Sequence, residues 1–193
     1  GMHLWADRFD GVVGNIFDLQ DQIAEQVAGA LHPSIREAEI ERARHKRPDN
    51  LVAYDLVMRA LPHLWAHRSA DNSVAIELLA RALTLDPHYE RASALAAWAR
   101  AQQVVYSWSE DIEADRAEGL RLIDQASAAI NDDATALTAL ATAIMLIAAD
   151  LDRAQLFIDK ALALDCNHAW AWTRRGFLHV YRGEPDLGVT CFE

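Results

Sequence analysis

Few residues of this chain stand where chemistry could be done, and each has a plain alternative. His63 and His67 lie four apart on one predicted helix, the spacing at which two imidazoles share a face and could hold a metal. Zinc takes three or four ligands, and Trp65 between the two is apolar. The pair therefore reads better as exposed or helix-end histidines. Glu110, Asp111, Glu113 and Asp115 crowd a short stretch that lacks the glycine turn and ligand spacing of a calcium loop, so a solvated linker is the simpler reading. Cys166 follows a helix end; exposed it would be a candidate reactive thiol, buried it would be a small apolar residue, and the second is the commoner case. No glycine-rich phosphate loop, CxxC pair, HExxH helix or GxSxG elbow occurs. These residues carry no catalytic centre, no cofactor site and no metal site.

Aromatic and arginine side chains offer recognition instead. Trp170, Thr173, Arg174, Phe177 and Tyr181 share one predicted helix, and such a mixture suits capture of an extended peptide or a partner helix. The competing reading packs Trp170 and Phe177 on the preceding hairpin. Trp108 stands in a polar linker, Ser107 to Glu113; it either folds back on the helix before it or offers a partner an apolar anchor.

The elements that must position these groups announce themselves by repetition. Ala75-Ile-Glu-Leu-Leu-Ala-Arg-Ala82-Leu-Thr-Leu-Asp86-Pro87 reappears as Ala154-Gln-Leu-Phe-Ile-Asp-Lys-Ala161-Leu-Ala-Leu-Asp165-Cys166. Each carries two alanines seven apart, leucines on one helical face and a terminal Asp, which marks a repeat architecture. Helix-ending motifs at Ile130 and Leu164 lie 34 residues apart, as do Thr142 and Gly176. The unit before them is longer, 45 residues from Leu85 to Ile130, and the surplus falls at the long helix and the Ser107 linker.

Predicted helices run from Leu51 to Trp65, from an Asp71-Asn72 cap to Leu85, and from after Pro87 to about Tyr106. Others cover Ala114 to Ile130, Ala134 to Ala149, Asp152 to Leu164 and Ala169 to Tyr181, with a last one from Asp186 to the end. Upstream, residues 1–14 read as an extended arm left from a preceding α/β domain, and 15–48 as connecting helices. Residues 49–193 read as helical repeats with the last one truncated. A final helix without a cap leads us to expect part of a longer protein, or a last helix that is frayed or covered by a neighbouring molecule.

Composition agrees. With 52% hydrophobic residues, 8 glycines and 5 prolines among 193 residues, the chain is expected to be all-α and packed. No apolar run approaches the roughly 18 residues that cross a bilayer. A net charge of -11 disfavours nucleic acid, and the cluster Arg42, Arg44, Lys46 and Arg47 closes a helix that also holds Glu37, Glu39 and Glu41. Two cysteines make no disulfide framework, so a cytoplasmic setting is expected.

A 34-residue helix-turn-helix period resembles the tetratricopeptide family. The last unit is most similar to it, with Trp172, Gly176, Gly183, Gly188 and Phe192 at the family's aromatic, small and turn positions. The resemblance implies an α-α superhelix of helical hairpins. In it Trp172 fills the groove between paired helices, and Gly176 and Gly188 mark their closest approach. Ala75, Ala82, Ala154 and Ala161 hold the same small positions, while Cys166 departs from the usual proline.

His3-Leu-Trp-Ala-Asp-Arg-Phe-Asp-Gly11, then Ile16-Phe-Asp-Leu-Gln-Asp-Gln-Ile23, resembles the segment leading into such repeats in multidomain bacterial regulators. Ala53-Tyr-Asp-Leu56 and Arg59-Ala60 fit the same lineage. The whole is similar to the C-terminal half of class III adenylate/guanylate cyclases, and a related layout follows winged-helix DNA-binding domains. The resemblance implies a non-catalytic scaffold for a protein or peptide partner, or for homodimerisation. A small-molecule sensor near residues 98–113 and a passive spacer are the alternatives.

Overall fold

The computed structural model describes residues 51–192. Contacts divide the chain at Leu51–Val52, and the helices below make up the second unit. Among the described residues there is no strand. The eight α-helices are α1 (Leu51–Trp65), α2 (Ser69–Leu85), α3 (Glu90–Val105), α4 (Ile112–Ser127), α5 (Ala134–Ala143), α6 (Leu151–Leu164), α7 (Ala169–Tyr181) and α8 (Pro185–Phe192). A π-helical turn, Ile144–Ala148, extends α5. The extended arm at 1–14 and the connecting helices at 15–48 lie outside the described residues. No described helix is long and apolar enough to cross a membrane.

Helical periodicity explains what each element buries. On α1 the buried residues are Ala53, Leu56, Val57, Ala60 and Leu64, a stripe at three- and four-residue steps. On α2 they are Asn72, Ala75, Leu78, Leu79 and Ala82, and on α6 Ala154, Phe157, Ile158, Ala161 and Leu162. The alanines picked out by the repeat are thus in the core. Helix α3 is buried almost all round, with Ala92 to Ala99 inside. It packs against α2, α4 and α5 at once, and its small side chains let all three come near. Chain neighbours α5 and α6, α7 and α8 also pack together, and α5 lies beside α7.

The two repeated segments end alike, atom for atom. The N–H of Asp86 donates to Ala82 O at 2.9 Å, and that of Asp165 to Ala161 O at 3.0 Å. Each Asp carboxylate then accepts a backbone N–H two residues on, from His88 at 3.1 Å and Asn167 at 3.0 Å. Each Asp carbonyl accepts the N–H three residues on, and the next helix starts at Glu90 or Ala169. Such side-chain turns release the chain from one helix and aim it into the next. Pro87 and Cys166 occupy the same exposed position between these bonds. No burial is demanded there, so Cys166 is exposed and not a small core residue.

Starts are fixed by side-chain caps. Asp111, Asp133 and Asp150 accept N–H bonds from Ala114, Ala136 and Arg153. His168 Nδ1 accepts from Ala171 N–H at 3.2 Å, which leaves Nε2–H to donate to Thr135 Oγ1 on α5.

Three expectations shift here. The α2 helix begins at Ser69, without a side-chain cap at Arg68. Asp71 falls in its first turn and Asn72 is buried. The helix expected from Ala114 begins at Ile112, so Glu113 and Asp115 join its first turn. The helix expected over Ala134–Ala149 changes to π geometry at Ile144 and ends on Ala149 in a left-handed conformation, φ 54°.

The last pair of helices confirms the close approach at its glycines. A Cβ at Gly188 would lie 3.0 Å from Gly176 O, and one at Gly176 would meet the Phe192 ring at 2.5 Å. Trp172 does not fill that groove. It is 37% exposed, and its indole N–H donates to Cys166 O at 2.8 Å. Phe192 covers Gly176 instead.

Candidate partner-binding face

Three tryptophans from separate helices meet. Trp65 ends α1, Trp98 sits mid-way along α3, and Trp170 opens α7. Their ring centroids are 4.9 Å apart for Trp65 and Trp98, 4.6 Å for Trp65 and Trp170, and 4.7 Å for Trp98 and Trp170. Tilted and edge-on contacts of this kind suit the aromatic quadrupole. Trp98 is fully buried and Trp65 is 43% exposed, so the cluster runs from the core to the surface. Trp170 thus packs, as the competing sequence reading had it. Its aromatic partners, however, lie on α1 and α3 and not on the preceding hairpin.

The aromatic surface continues along α3. His67 sets its ring edge-on to Trp98 at 6.0 Å and to Tyr106 at 6.3 Å, and Tyr106 lies 4.7 Å from Trp108. Trp108 therefore folds back beside α3, the first of its two alternatives. Its backbone N–H donates to Gln103 O at 3.0 Å and that of Ser107 to Val104 O at 3.3 Å, closing α3 with a left-handed Ser107.

On α7, Arg174 spans the cluster and the outer aromatics. Its guanidinium stands 5.9 Å from the Trp170 ring and 5.4 Å from that of Phe177. No carboxylate pairs with it among the described residues. Desolvation pulls its pKa below the usual arginine value, against the pull of Tyr106 and Tyr181. His67 is shifted down as well, first by burial and then by the charge of Arg174, so its neutral form is favoured. Phe177 is 39% and Tyr181 52% exposed. Tyr181 also borders an open hollow of about 320 Å³ with Met145, Leu146, Ala149 and Leu151. Thr173 contributes little, because its hydroxyl donates to Ala169 O within the helix at 2.9 Å.

Of the six residues expected to form the groove, Trp170, Arg174 and Phe177 come together directly. Trp108 joins through Tyr106, His67 and Trp98, and Tyr181 flanks Phe177 at 6.4 Å. Sequence reasoning did not place Trp65, His67, Trp98 and Tyr106 at the site. Only their aromatic character could have signalled it.

The remaining chemical candidates separate. His67 lies past the end of α1 with φ 48°, so it does not share a helix with His63. The His63 Nδ1–H donates to Asp71 Oδ1 at 2.8 Å, and that bond, more than Arg68 nearby, holds the Asp71 carboxyl below its usual range. Asp111 caps α4, and Asp115 pairs with Arg100. Among the described residues no three His, Cys, Asp or Glu side chains gather at metal-binding distance.

No family profile matches the chain. Over 126 residues it is 26% identical to "Putative adenylate cyclase 3" of Rhizobium meliloti (strain 1021). The matched part covers 65% of this chain and 22% of that protein, so the chain spans about a fifth of the relative's length.

Proposed function

We propose that these helices form a tetratricopeptide-like superhelix that acts as a non-catalytic interaction module in a cyclase-type signalling protein of the cytoplasm. The repeated Asp-terminated segments and the partial likeness to a cyclase-named relative support that setting. The occupant is a peptide segment of a partner protein, laid along the face of α3 and α7. One observation carries the reading: Trp170, Arg174 and Phe177 present a stacked cation, without a counter-ion among the described residues, beside exposed aromatics. Aromatic and arginine side chains are the ones that dominate binding at the centre of protein interfaces.

An unbiased array of 12-residue peptides, probed with the chain of residues 1–193, tests it. A defined subset of spots should bind, and Phe177→Ala should abolish that binding while the melting temperature stays within a few degrees. An array without bound spots, or turnover of ATP or GTP by residues 1–193, would refute the proposal. A second reading, a small-molecule sensor, draws on the hollow beside Tyr181 and the π turn, since such turns recur at functional sites. A metabolite that raises the melting temperature only when Tyr181 is intact would favour it.

A further inference from the structure

We propose that the feature this face recognises is a side-chain carboxylate, an Asp or Glu set within an otherwise apolar peptide segment. The inference rests on the reading of the face as a peptide site and adds the chemistry of its occupant. Its ground is a shortage of acceptors. The indole N–H of Trp170 and the Nε–H of Arg174 are buried and donate to nothing, and so does the amide nitrogen of Gln102. Trp170 and Arg174 are one turn apart on α7, and Gln102 is one turn on from Trp98 on α3. The Gln102 carbonyl is already used, accepting from Asn72 at 3.1 Å. A fourth buried donor, Arg91 Nε, lies at the other end of α3 on a guanidinium that reaches Asp133 at 3.0 Å; the three on this face are likewise donors. A buried donor without a partner costs stability, so each asks for an explanation.

Charge points the same way. Arg175, the next residue, pairs with Asp159 at 3.3 Å, and Arg100, Arg153 and Arg182 each have an aspartate. Arg174 keeps a desolvated charge with only aromatic faces about it, in a chain where 29 acidic residues outnumber 18 basic ones. An acceptor-only anion answers the Arg174 charge, and a planar carboxylate fits a guanidinium fork. Shape argues for a segment over a small acid. Rings 4.6 to 4.9 Å apart leave no cavity within the tryptophan cluster, whereas Tyr106, Phe177 and Tyr181 extend it as exposed surface.

The test uses residues 1–193, the same peptide array, and tryptophan emission with the tightest-binding peptide. Bound spots should be enriched in Asp or Glu flanked by leucine or aromatic residues. Changing that acid to its amide should weaken binding about tenfold or more, the usual worth of a charged hydrogen bond. In Arg174→Met the acid and amide peptides should bind equally, and Arg174→Lys should restore part of the gap. If Arg174→Met does not melt cooperatively, Arg174→Gln takes its place. Spots that bind without acid preference, or an acid-to-amide gap that survives Arg174→Met, overturn the carboxylate and leave the peptide site standing. An empty array overturns both. Phenylacetate that shifts the emission through Arg174 while no peptide binds overturns the segment in favour of a small acid.

Discussion

Arg174 and Arg175 are neighbours on α7 and live in different solvents. Arg175 lies over Trp172, which is 37% exposed, and reaches Asp159 at 3.3 Å. Arg174, one step round the helix, faces the tryptophan cluster and finds no carboxylate among the described residues. The first pair repeats a pattern found around the outer helices, where Arg100 meets Asp115, Arg121 meets Glu118 and Arg153 meets Asp124. Arg100–Asp115 and Arg153–Asp124 cross between helices, Arg121–Glu118 lies within α4, and such partly exposed pairs add little energy. The face of α3 and α7 draws its cohesion from buried aromatic area and leaves its polar groups unanswered. Among the described residues, the first side is finished by its own ion pairs; the other leaves Trp170 Nε1, Arg174 Nε and Gln102 Nε2 unpaired.

The sharpest way to test the contrast is to remove the pillar of the unfinished side. Trp98→Ala deletes a fully buried side chain touching Trp65, Trp170 and His67. It should destabilise the unit by about 3–5 kcal/mol, read by urea unfolding. A smaller loss would mean that the rings close over the gap and that the cluster is soft.

Next in size is the polar node behind the cluster. Asn72 Nδ2 donates to Gln102 Oε1, and Gln103 Nε2 donates to Asn72 Oδ1 at 2.8 Å, all three buried. Asn72→Ala strands both glutamines at once and should cost about 1–3 kcal/mol by the same measurement.

That node shows where sequence and structure part. As text, Asp71-Asn72 before an apolar run is a helix cap; in the fold, Ser69 starts the helix and Asn72 turns inward. Capping residues and buried amides are the same letters, and only the tertiary partners, here two glutamines on another helix, tell them apart. Local periodicity served well where burial is one-sided. Leu51–Trp65 and Ala169–Tyr181 match the expected bounds at both ends, and Ala75, Ala82, Ala154 and Ala161 are all core. The tryptophan triangle had no such signal. Its members come from three helices separated by most of the chain, and no spacing rule links Trp65 to Trp98 or Trp170. The π turn at Ile144 was hidden for a related reason. Ala-Ile-Met-Leu-Ile-Ala reads as plain helix, and what accompanies the change is distant. Arg116 Nη1–H donates to Ile147 O at 3.0 Å, and Gly119 makes room for the Ile147 side chain.

A gain of stability is expected where the two faces meet at the end of α3. Ser107 takes a left-handed φ of 54° in a turn that closes the helix through Trp108, whereas Gly183 takes φ 78° in the same turn after α7. Serine carries the Cβ penalty that glycine escapes. Ser107→Gly should therefore raise stability by about 0.5–1 kcal/mol and leave the Tyr106–Trp108 stacking in place, seen as an unchanged near-ultraviolet circular dichroism spectrum. A decrease would show that the serine conformation is sustained by contacts beyond the turn.

The smallest effect is expected on the finished side, and it is the control for the rest. Arg121 forks onto Glu118, with Nε–H to Oε2 at 2.8 Å and Nη2–H to Oε1 at 2.7 Å. That hydrogen bond is the chief reason the Glu118 carboxyl titrates below its usual range. The sign follows: a folded-state pKa below the unfolded value stabilises the fold above the ordinary carboxylate range, and the gain fades as pH falls through the lowered value. Both side chains are more than a third exposed, so solvent and salt screen the pair heavily. Arg121→Ala should cost no more than about 0.5 kcal/mol at neutral pH and nothing measurable in strong acid, where Glu118 is protonated in folded and unfolded chains alike. A loss comparable to that of Asn72→Ala would erase the distinction between the two sides, because a water-facing ion pair within one helix would then stabilise the fold as much as the buried node does.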